Sequence, residues 1–362
     1  MNLDYETLRL MGLAGLLFCV IGFVLAELLI SGLAILLPLL SKQDTACQLP
    51  LLARLNDYCV WQMAFLFAGL AIFATAWPVA FAVFFCSLPG LLSGLLLAWL
   101  IRYMGLNLSS LLQQQAIIKA VHYSSWLIMI ILGLLAGNLL KGVPFHLDSD
   151  MRSFFLGDLL GLLNPFALLV TATALALSIF CAACDVQQGI SASAAAQSQG
   201  WLYKAGAVFV VIFALTGSWI THLEGYHISS ELITSGPANP LNKFVKRGDG
   251  LWLDNYEHYL ALAIIPGLAF IGAVAAMYLS WIGRSRWLKF IACVVAGCSV
   301  LTAAISIFPF LLPSNRSLNS SLTIWDASAS MSSLQVVQYI ILALPVVLLL
   351  GWLSRTPEKQ EN

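Results

Sequence analysis

The sequence predicts an all-α protein that crosses a membrane about nine times, and two observations carry this prediction. Hydrophobic residues make up 60% of the 362 residues and charged residues only 9%, whereas a soluble domain carries about 25% charged residues. Apolar stretches of about 20 residues, the length that spans a bilayer as a helix, recur along the whole chain. The 17 basic and 17 acidic side chains cancel, which excludes a strongly basic nucleic-acid-binding protein.

Nine apolar stretches are the candidate membrane spans, and we expect each to form a helix. In chain order they cover residues 9–34, 60–77, 79–100, 117–140, 159–182, 204–222, 259–281, 288–311 and 336–354. Only Trp77-Pro78 separates the second from the third, and we interpret this pair as a tight turn; without it the chain would have eight spans. Residues 1–362 then form a single integral membrane domain whose longest external loop is 223–258.

The basic residues predict the orientation of the spans. Among the short loops and tails, Lys and Arg are more frequent on the side that holds the C-terminus. Cytoplasmic loops carry the excess of basic residues, so we expect an external N-terminus and a cytoplasmic C-terminus. The segment Met1–Glu6 is acidic rather than basic, and we therefore expect no cleavable signal peptide.

Acidic residues inside the bilayer are the first candidates for chemistry, because each is costly to bury and usually functional. Glu27 is the clear case, since it lies within the first predicted span. Asp57 comes just before the second span, one helical turn ahead of Trp61. Two interpretations of Asp57 stay open: a cap at the start of the helix, or a proton-carrying group that works with Glu27.

Histidine and cysteine offer little support for a cofactor bound by this chain alone. All five histidines lie near span ends or in loops, and no two are three or four residues apart. We therefore expect no haem or metal to be held through the chain's own residues. Cys181-Ala-Ala-Cys184 has the spacing of a redox or metal motif, but it closes an apolar stretch and no second such motif follows. Packing between helices is the favoured interpretation of these thiols.

Several loop motifs, taken in order, resemble subunit II of the cytochrome bd quinol oxidases. The motifs include Gly137-Asn138-Leu139-Leu140-Lys141-Gly142-Val143-Pro144-Phe145, Asn239-Pro240-Leu241-Asn242-Lys243 and Ser321-Leu322-Thr323-Ile324-Trp325-Asp326-Ala327-Ser328. Gly142, Pro144, Asn239, Asn242, Trp325 and Asp326 are the residues of these external loops that match the family. Each motif is weak alone, but their order and spacing identify the chain as a divergent member.

The resemblance implies a fold and a function. The family fold has nine helices, arranged as two four-helix bundles plus a peripheral helix. The complex, in the bacterial inner membrane, oxidises quinol and reduces O2 to water. Its two b-type haems and haem d belong to subunit I, with which this chain would form a heterodimer. The chain would not be catalytic alone. Small single-helix accessory subunits and a structural quinone are further implied possibilities.

The resemblance also implies site residues, with departures from the family pattern. Glu27 keeps the first of two acids in the first helix, but Ile30 replaces the second. The second-helix signature survives at Val60 and Trp61, whereas its acid aligns with Asn56 and leaves Asp57 one place along. Arg102 matches the arginine after the third span. By resemblance, Glu27, Asp57 and Arg102 would serve a proton route, and Trp61 would border an oxygen passage.

Two other functions remain compatible with the residues. A divergent homologue could act as a proton-coupled transporter without a haem partner, because a membrane-embedded acid suits proton coupling. Alternatively, the chain could be a bare scaffold for the haem subunit, since the second acid is missing. Isolation of a haem partner would separate the oxidase from the transporter, and the behaviour of a Glu27 variant would separate a proton route from a scaffold.

Overall fold

The predicted all-α membrane architecture is confirmed. The structure, a computed structural model, describes residues 4–42, 45–107, 114–230, 234, 236, 238–241 and 243–353. Within these ranges, nine helices are long and apolar enough to cross a membrane. Eight of the nine predicted spans coincide with one of these helices over most of their length; the third needs the correction given below.

Eleven α-helices follow one another in the described part of the chain. They are α1 Tyr5–Ser41, α2 Gln48–Ala76, α3 Pro78–Ser87, α4 Pro89–Asn107, α5 Gln114–Lys141, α6 Pro165–Val186, α7 Ala192–Ile220, α8 Asp254–His258, α9 Ile264–Trp281, α10 Leu288–Ile307 and α11 Met331–Leu353. Helices α3 and α8 are too short to span a bilayer, which takes about 20 residues.

Three small antiparallel hairpins occupy the longer connections. They pair β1 Phe145–Leu147 with β2 Ser153–Phe155, β3 Glu224–Ile228 with β4 Val245–Asp249, and β5 Phe310–Leu312 with β6 Leu322–Thr323. The hairpin connections touch one another, for example through the 2.8 Å bond from the Val143 amide to the Pro313 carbonyl. We call this side of the molecule the hairpin end. The opposite side, where short connections join α1 to α2, α4 to α5, α6 to α7 and α9 to α10, is the turn end.

The break predicted at Trp77-Pro78 is present, and a second break follows it. Helix α2 ends at Ala76, and the buried Trp77 donates its indole N–H to the Ile324 carbonyl over 3.1 Å. Pro89 then opens a new helix after Leu88, because proline lacks the amide that would continue the preceding one. The predicted third span, 79–100, therefore covers α3 and part of α4, and α4 alone is the spanning helix.

The prediction that Asp57 could cap the second helix is wrong. Helix α2 begins at Gln48, twelve residues before the predicted start of its span at 60, so Asp57 lies well inside the helix. The segment from 48 to 59 is helical although it lies outside the apolar run that defined the predicted span. A cap must precede the first helical turn.

Helix α6, which corresponds to the fifth predicted span, reaches further toward the turn end than its apolar run predicts. It begins at Pro165, where the Asn164 side chain accepts the Ala167 amide over 3.0 Å, and it continues to Val186 rather than to 182. Asparagine before proline is a strong helix start, which explains the late beginning. The extension places Asp185 inside the last turn, where its side chain is 1% exposed.

Small residues let the helices around α1 approach closely. Helix α1 packs on α2, α5 and α6, helices α6, α7, α9 and α10 pack on one another, and α11 lies against α1 and α2. A Cβ atom added to Gly32 of α1 would overlap the Ser178 carbonyl of α6 and lie 2.7 Å from the Ala182 Cβ. Close approach through glycine is a common device between membrane helices. This grouping is consistent with two four-helix bundles and a peripheral helix.

Candidate functional site

The candidate site is a buried ion pair between Glu27 of α1 and Arg102 of α4. Two nitrogens of the guanidinium donate to the two carboxylate oxygens, Nη1 to Oε1 over 2.6 Å and Nη2 to Oε2 over 2.8 Å. The Glu27 side chain is 1% exposed and the Arg102 side chain is 2% exposed. A bidentate pair of this kind is the strongest contact that arginine makes with a carboxylate. Two residues predicted for one role are thus in direct contact.

Three further side chains complete the hydrogen bonding of Glu27. The Ser31 hydroxyl donates to Oε1 over 2.5 Å, the Trp99 indole donates to Oε2 over 3.1 Å, and the Gln62 amide also donates to Oε2. The guanidinium of Arg102 reaches the Ser31 hydroxyl as well, over 3.0 Å. We call these five residues the Glu27 site. A buried charge persists only when it is paired and hydrogen-bonded in this way.

Sequence reasoning found the two charges of the Glu27 site and missed its three polar partners. Ser31 lies one helical turn after Glu27, and Gln62 is a polar residue inside an apolar span. Both could therefore have been recognised from the sequence as candidate partners of Glu27. Trp99 could not have been recognised in this way, because tryptophan is common in membrane helices. The three partners come from α1, α2 and α4, and only the packing of these helices shows that they converge.

The other predicted proton and oxygen residues lie outside the Glu27 site. Asp57 is exposed and Trp61 is half-buried, both on α2. Ile30, which stands where the family has its second acid, is fully buried in the apolar core around α1. The structure therefore brings Glu27 and Arg102 together but does not place Asp57 beside them in the buried core.

At the hairpin end, the family-matching residues hold the connections together. Gly142 has a φ of +90°, and a Cβ there would overlap the hydroxyl of Tyr226. A larger residue would therefore strain the backbone and also clash with the Tyr226 side chain. Pro144 is buried beside it. Asn239 is exposed, and its side chain accepts the Leu241 amide over 3.1 Å. Asn242 lies outside the described residues.

A second buried ion pair joins two of these connections. Lys243 Nζ lies 2.8 Å from Asp326 Oδ2, and the side chains are 2% and 8% exposed. Thr323 donates to the same carboxylate from its amide and its hydroxyl, and Trp325 is buried next to it. Burial raises the pKa of Asp326 and lowers the pKa of Lys243, and in each case the partner's charge opposes the shift. The sequence indicated Asp326 but not its partner.

Comparison with known proteins decides the family. The sequence profile of the cytochrome bd terminal oxidase subunit II family matches residues 8–355. The chain belongs to this family. It is 30% identical over 355 residues to the cytochrome bd-I ubiquinol oxidase subunit 2 of Escherichia coli K12, covering 96% of this chain and 93% of the relative.

Two further similarities agree with the assignment. A probable cytochrome oxidase subunit 2 from Haemophilus influenzae is 28% identical, over 94% of this chain and 93% of the relative. A chain of the bd oxidase from Geobacillus thermodenitrificans superposes with a TM-score of 0.69 at 14% identity, covering 97% of this chain and all of the other. At that identity the likeness supports the fold alone. As a subunit II, the chain is part of a quinol:oxygen oxidoreductase complex, and the transporter alternative gains no support.

A second carboxylate, which the sequence did not predict as a site residue, is buried within the described spanning helices of subunit II. Asp185, at the turn end of α6, accepts a 2.7 Å hydrogen bond from the Tyr58 hydroxyl. Its oxygens lie 3.3 Å from Arg54 Nη1 and 3.1 Å from Lys289 Nζ. Glu27 is therefore not the only acid buried within the spanning helices. The sequence did not indicate that Asp185 is buried in a spanning helix, because it follows the apolar run that predicted the span.

None of the five histidines of this subunit II is fully buried. His122 is half-buried, with its Nδ1 3.2 Å from the Ala34 carbonyl, and His222, His227 and His258 are exposed. His146 is half-buried beside a hydroxyl of the hairpin end. Among the described residues, no three His, Cys, Asp or Glu side chains converge where they could hold a metal ion.

Proposed function

We propose that this chain works as the haem-free subunit II of a quinol oxidase in the bacterial inner membrane. The observation that carries the proposal is the family match, which extends over residues 8–355 rather than over one motif. In this proposal the two b-type haems and haem d, which carry electrons from quinol to O2, are held by a partner subunit I. Single-helix accessory subunits and a structural quinone would complete the complex.

The proposed orientation puts the hairpin end outside and the turn end in the cytoplasm. Basic residues support it, because Lys42, Lys119, Arg284, Arg286 and Lys289 all follow or precede short connections of the turn end. Cytoplasmic connections carry such an excess. In this orientation the C-terminus is cytoplasmic and the N-terminus external.

The Glu27 site is proposed to lie on a proton route through the subunit. Its carboxylate is a proton-accepting group held within the spanning helices, where such groups are rare and usually functional. Ser31 and Gln62 are hydrogen-bonded to the pair and would keep the carboxylate in place. Asp57 is proposed as a member of this route closer to the cytoplasm, and Trp61 as a residue beside an oxygen passage.

The test is the Glu27→Gln variant in membranes that hold both subunits. Glutamine keeps the shape and one acceptor but cannot carry the proton, so we expect the turnover per haem and the proton uptake per haem to fall by about 100-fold. The haem content should fall much less, and only because Arg102 is left as a lone buried charge. Asp57→Asn is the companion variant, with a smaller loss expected because its side chain is exposed. Normal turnover and proton uptake in Glu27→Gln would overturn the proton role.

The same variant separates the proton route from a bare scaffold. A scaffold residue would change the haem content and the yield of the assembled complex, not the turnover per haem. If Glu27→Gln lost haem d absorption in proportion to activity, the Glu27 site would be a structural anchor. If no haem protein co-purified with the wild-type chain, assembly with subunit I would itself be disproved.

A further inference from the structure

The environment of Asp185 contains more positive charge than the carboxylate can neutralise. Arg54 of α2 and Lys289 of α10 both lie within 3.3 Å of its oxygens. The Asp185 side chain is 1% exposed, whereas those of Arg54 and Lys289 are 26% and 40% exposed. The acid is thus fully occupied inside the protein, and each cation keeps part of its surface free.

The contacts of Asp185 hold these cations in fixed positions. Lys289 also donates to the Tyr58 hydroxyl over 2.5 Å, and Arg54 also donates to the Gln188 carbonyl over 3.0 Å. Gln188 in turn donates to the carbonyls of Ser285 and Arg286, over 2.8 and 3.1 Å. The turn between α9 and α10 is therefore fastened beside the same carboxylate.

Two more arginines lie on that turn, and acids are scarce near it. Arg284 and Arg286 are exposed. Between Glu257 and Asp326 the sequence has no acidic residue, so nothing in α9, α10 or their turn offsets these charges. Asp57 is an exposed acid on α2, three residues after Arg54. The four cations Arg54, Arg284, Arg286 and Lys289 of these segments thus outnumber the two carboxylates Asp57 and Asp185, and we call this group of residues the Asp185 patch.

Exposed aromatic rings place this patch at the membrane surface. Trp281 and Trp287 flank the α9–α10 turn with 73% and 56% of their surface exposed, and Tyr278 and Phe290 are 57% and 63% exposed one turn further along their helices. Tryptophan and tyrosine collect at the level of lipid head groups. The cations of the Asp185 patch consequently lie at the depth of lipid phosphates.

We propose that the Asp185 patch binds the phosphate head group of an anionic phospholipid, held by Lys289, Arg286 and Arg54. Positive clusters at this depth attract anionic lipids, with each cation adding to the affinity. Asp185 is a positioning residue in this site: it touches no lipid but fixes two of the three cations. A merely diffuse positive charge would need no such buried acid.

The experiment measures lipid retained by the purified complex with native mass spectrometry after reconstitution with phosphatidylglycerol or phosphatidylcholine. The wild-type complex should retain phosphatidylglycerol selectively. In the double variant Arg286→Gln with Lys289→Gln, which keeps Arg54 as a partner of Asp185, selectivity should fall by about tenfold or more. Arg152→Gln is the control, because this exposed arginine lies in the β1–β2 connection at the hairpin end and should not affect selectivity.

Asp185→Asn distinguishes a built site from diffuse attraction. The substitution adds net positive charge but releases Arg54 and Lys289, so a built site predicts weaker retention and diffuse attraction predicts stronger retention. Equal retention of the two lipids by the wild type, or an unchanged double variant, would overturn the proposal. Because lipid mass is the readout, the outcome does not depend on whether Glu27 carries protons.

Discussion

Arg102 is the side chain on which burial of Glu27 depends. A carboxylate inside the spanning helices has no water to solvate it, so its stability comes from the bidentate guanidinium and three neutral donors. Removing one member of a buried ion pair costs more than removing both, because a lone charge is left behind.

The first prediction follows from this asymmetry. Arg102→Met should lower the free energy of unfolding by about 3–5 kcal/mol, because Glu27 would remain as an uncompensated buried charge. Thermal unfolding in detergent is the measurement. The matched control is the double variant with Glu27→Gln, which removes both charges and should recover most of the loss. An Arg102→Met protein that unfolds like the wild type would contradict this account.

The Lys243–Asp326 pair makes a prediction about pH. Burial raises the pKa of Asp326, and Lys243 opposes that rise, so Lys243→Met should raise the pKa further. The folded chain would then bind the Asp326 proton more tightly than the unfolded chain, and its stability would fall as pH rises through that window. The penalty of Lys243→Met should therefore grow as the pH rises from about 4, the ordinary pKa of an aspartate, through the raised pKa of Asp326.

Unfolding temperatures of wild type and variant across this pH range check the prediction. The double variant Lys243→Met with Asp326→Asn is the control and should show no such dependence, because the titrating group is gone. A penalty of constant size at every pH would show that Lys243 stabilises the hairpin end through packing rather than charge.

At the scale of elements, Gly32 sets the approach of α1 to α6. Gly32→Ala should destabilise the protein by about 1–3 kcal/mol, because the added methyl group overlaps the α6 backbone and the helices must separate. The same separation would stretch the 2.9 Å bond from the Ser178 hydroxyl to the Leu28 carbonyl. Thermal unfolding of the purified complex measures the effect.

Gly217 provides the matched control for that substitution. It also lies within a spanning helix, α7, but a Cβ there meets no atom within 4 Å. Gly217→Ala should therefore be neutral or stabilise the helix by up to about 1 kcal/mol, because alanine has less freedom to lose than glycine. Equal destabilisation by the two substitutions would mean that helix packing at Gly32 is not the cause.

The elements show how far the sequence predicts this fold. Hydropathy located the nine spans because lipid demands long apolar helices, but it missed the polar ends of α2 and α7, which start 12 residues before their predicted spans. The same limit hid Asp185, which follows an apolar run. Glu27 was predictable because a charged residue is conspicuous within an apolar stretch. Trp99 and Lys243 were not, because they contact their partners only through packing between distant segments.

At the scale of the whole molecule, the two ends differ in construction. The hairpin end is tied together by long-range bonds: Arg9, fully buried at the start of α1, donates to the Ser328 hydroxyl and to the carbonyls of Thr234 and Gly236. The turn end consists of short connections and carries the Asp185 patch. An end of longer, interlocked hairpins and an opposite end whose short turns carry an excess of basic residues are the arrangement expected for the two sides of a membrane.

The last prediction tests that orientation. Two exposed sites suit a short protease-cleavable insert: after Ser149, at the tip of the β1–β2 hairpin, and after Gly189, in the turn between α6 and α7. Inserts at exposed turns are tolerated because few contacts are lost. With the hairpin end outside, protease added to spheroplasts should cut the first insert, and it should cut the second only after lysis. The reverse pattern would invert the orientation and place the Asp185 patch in the outer leaflet, because each spanning helix carries its two ends to opposite sides of the membrane.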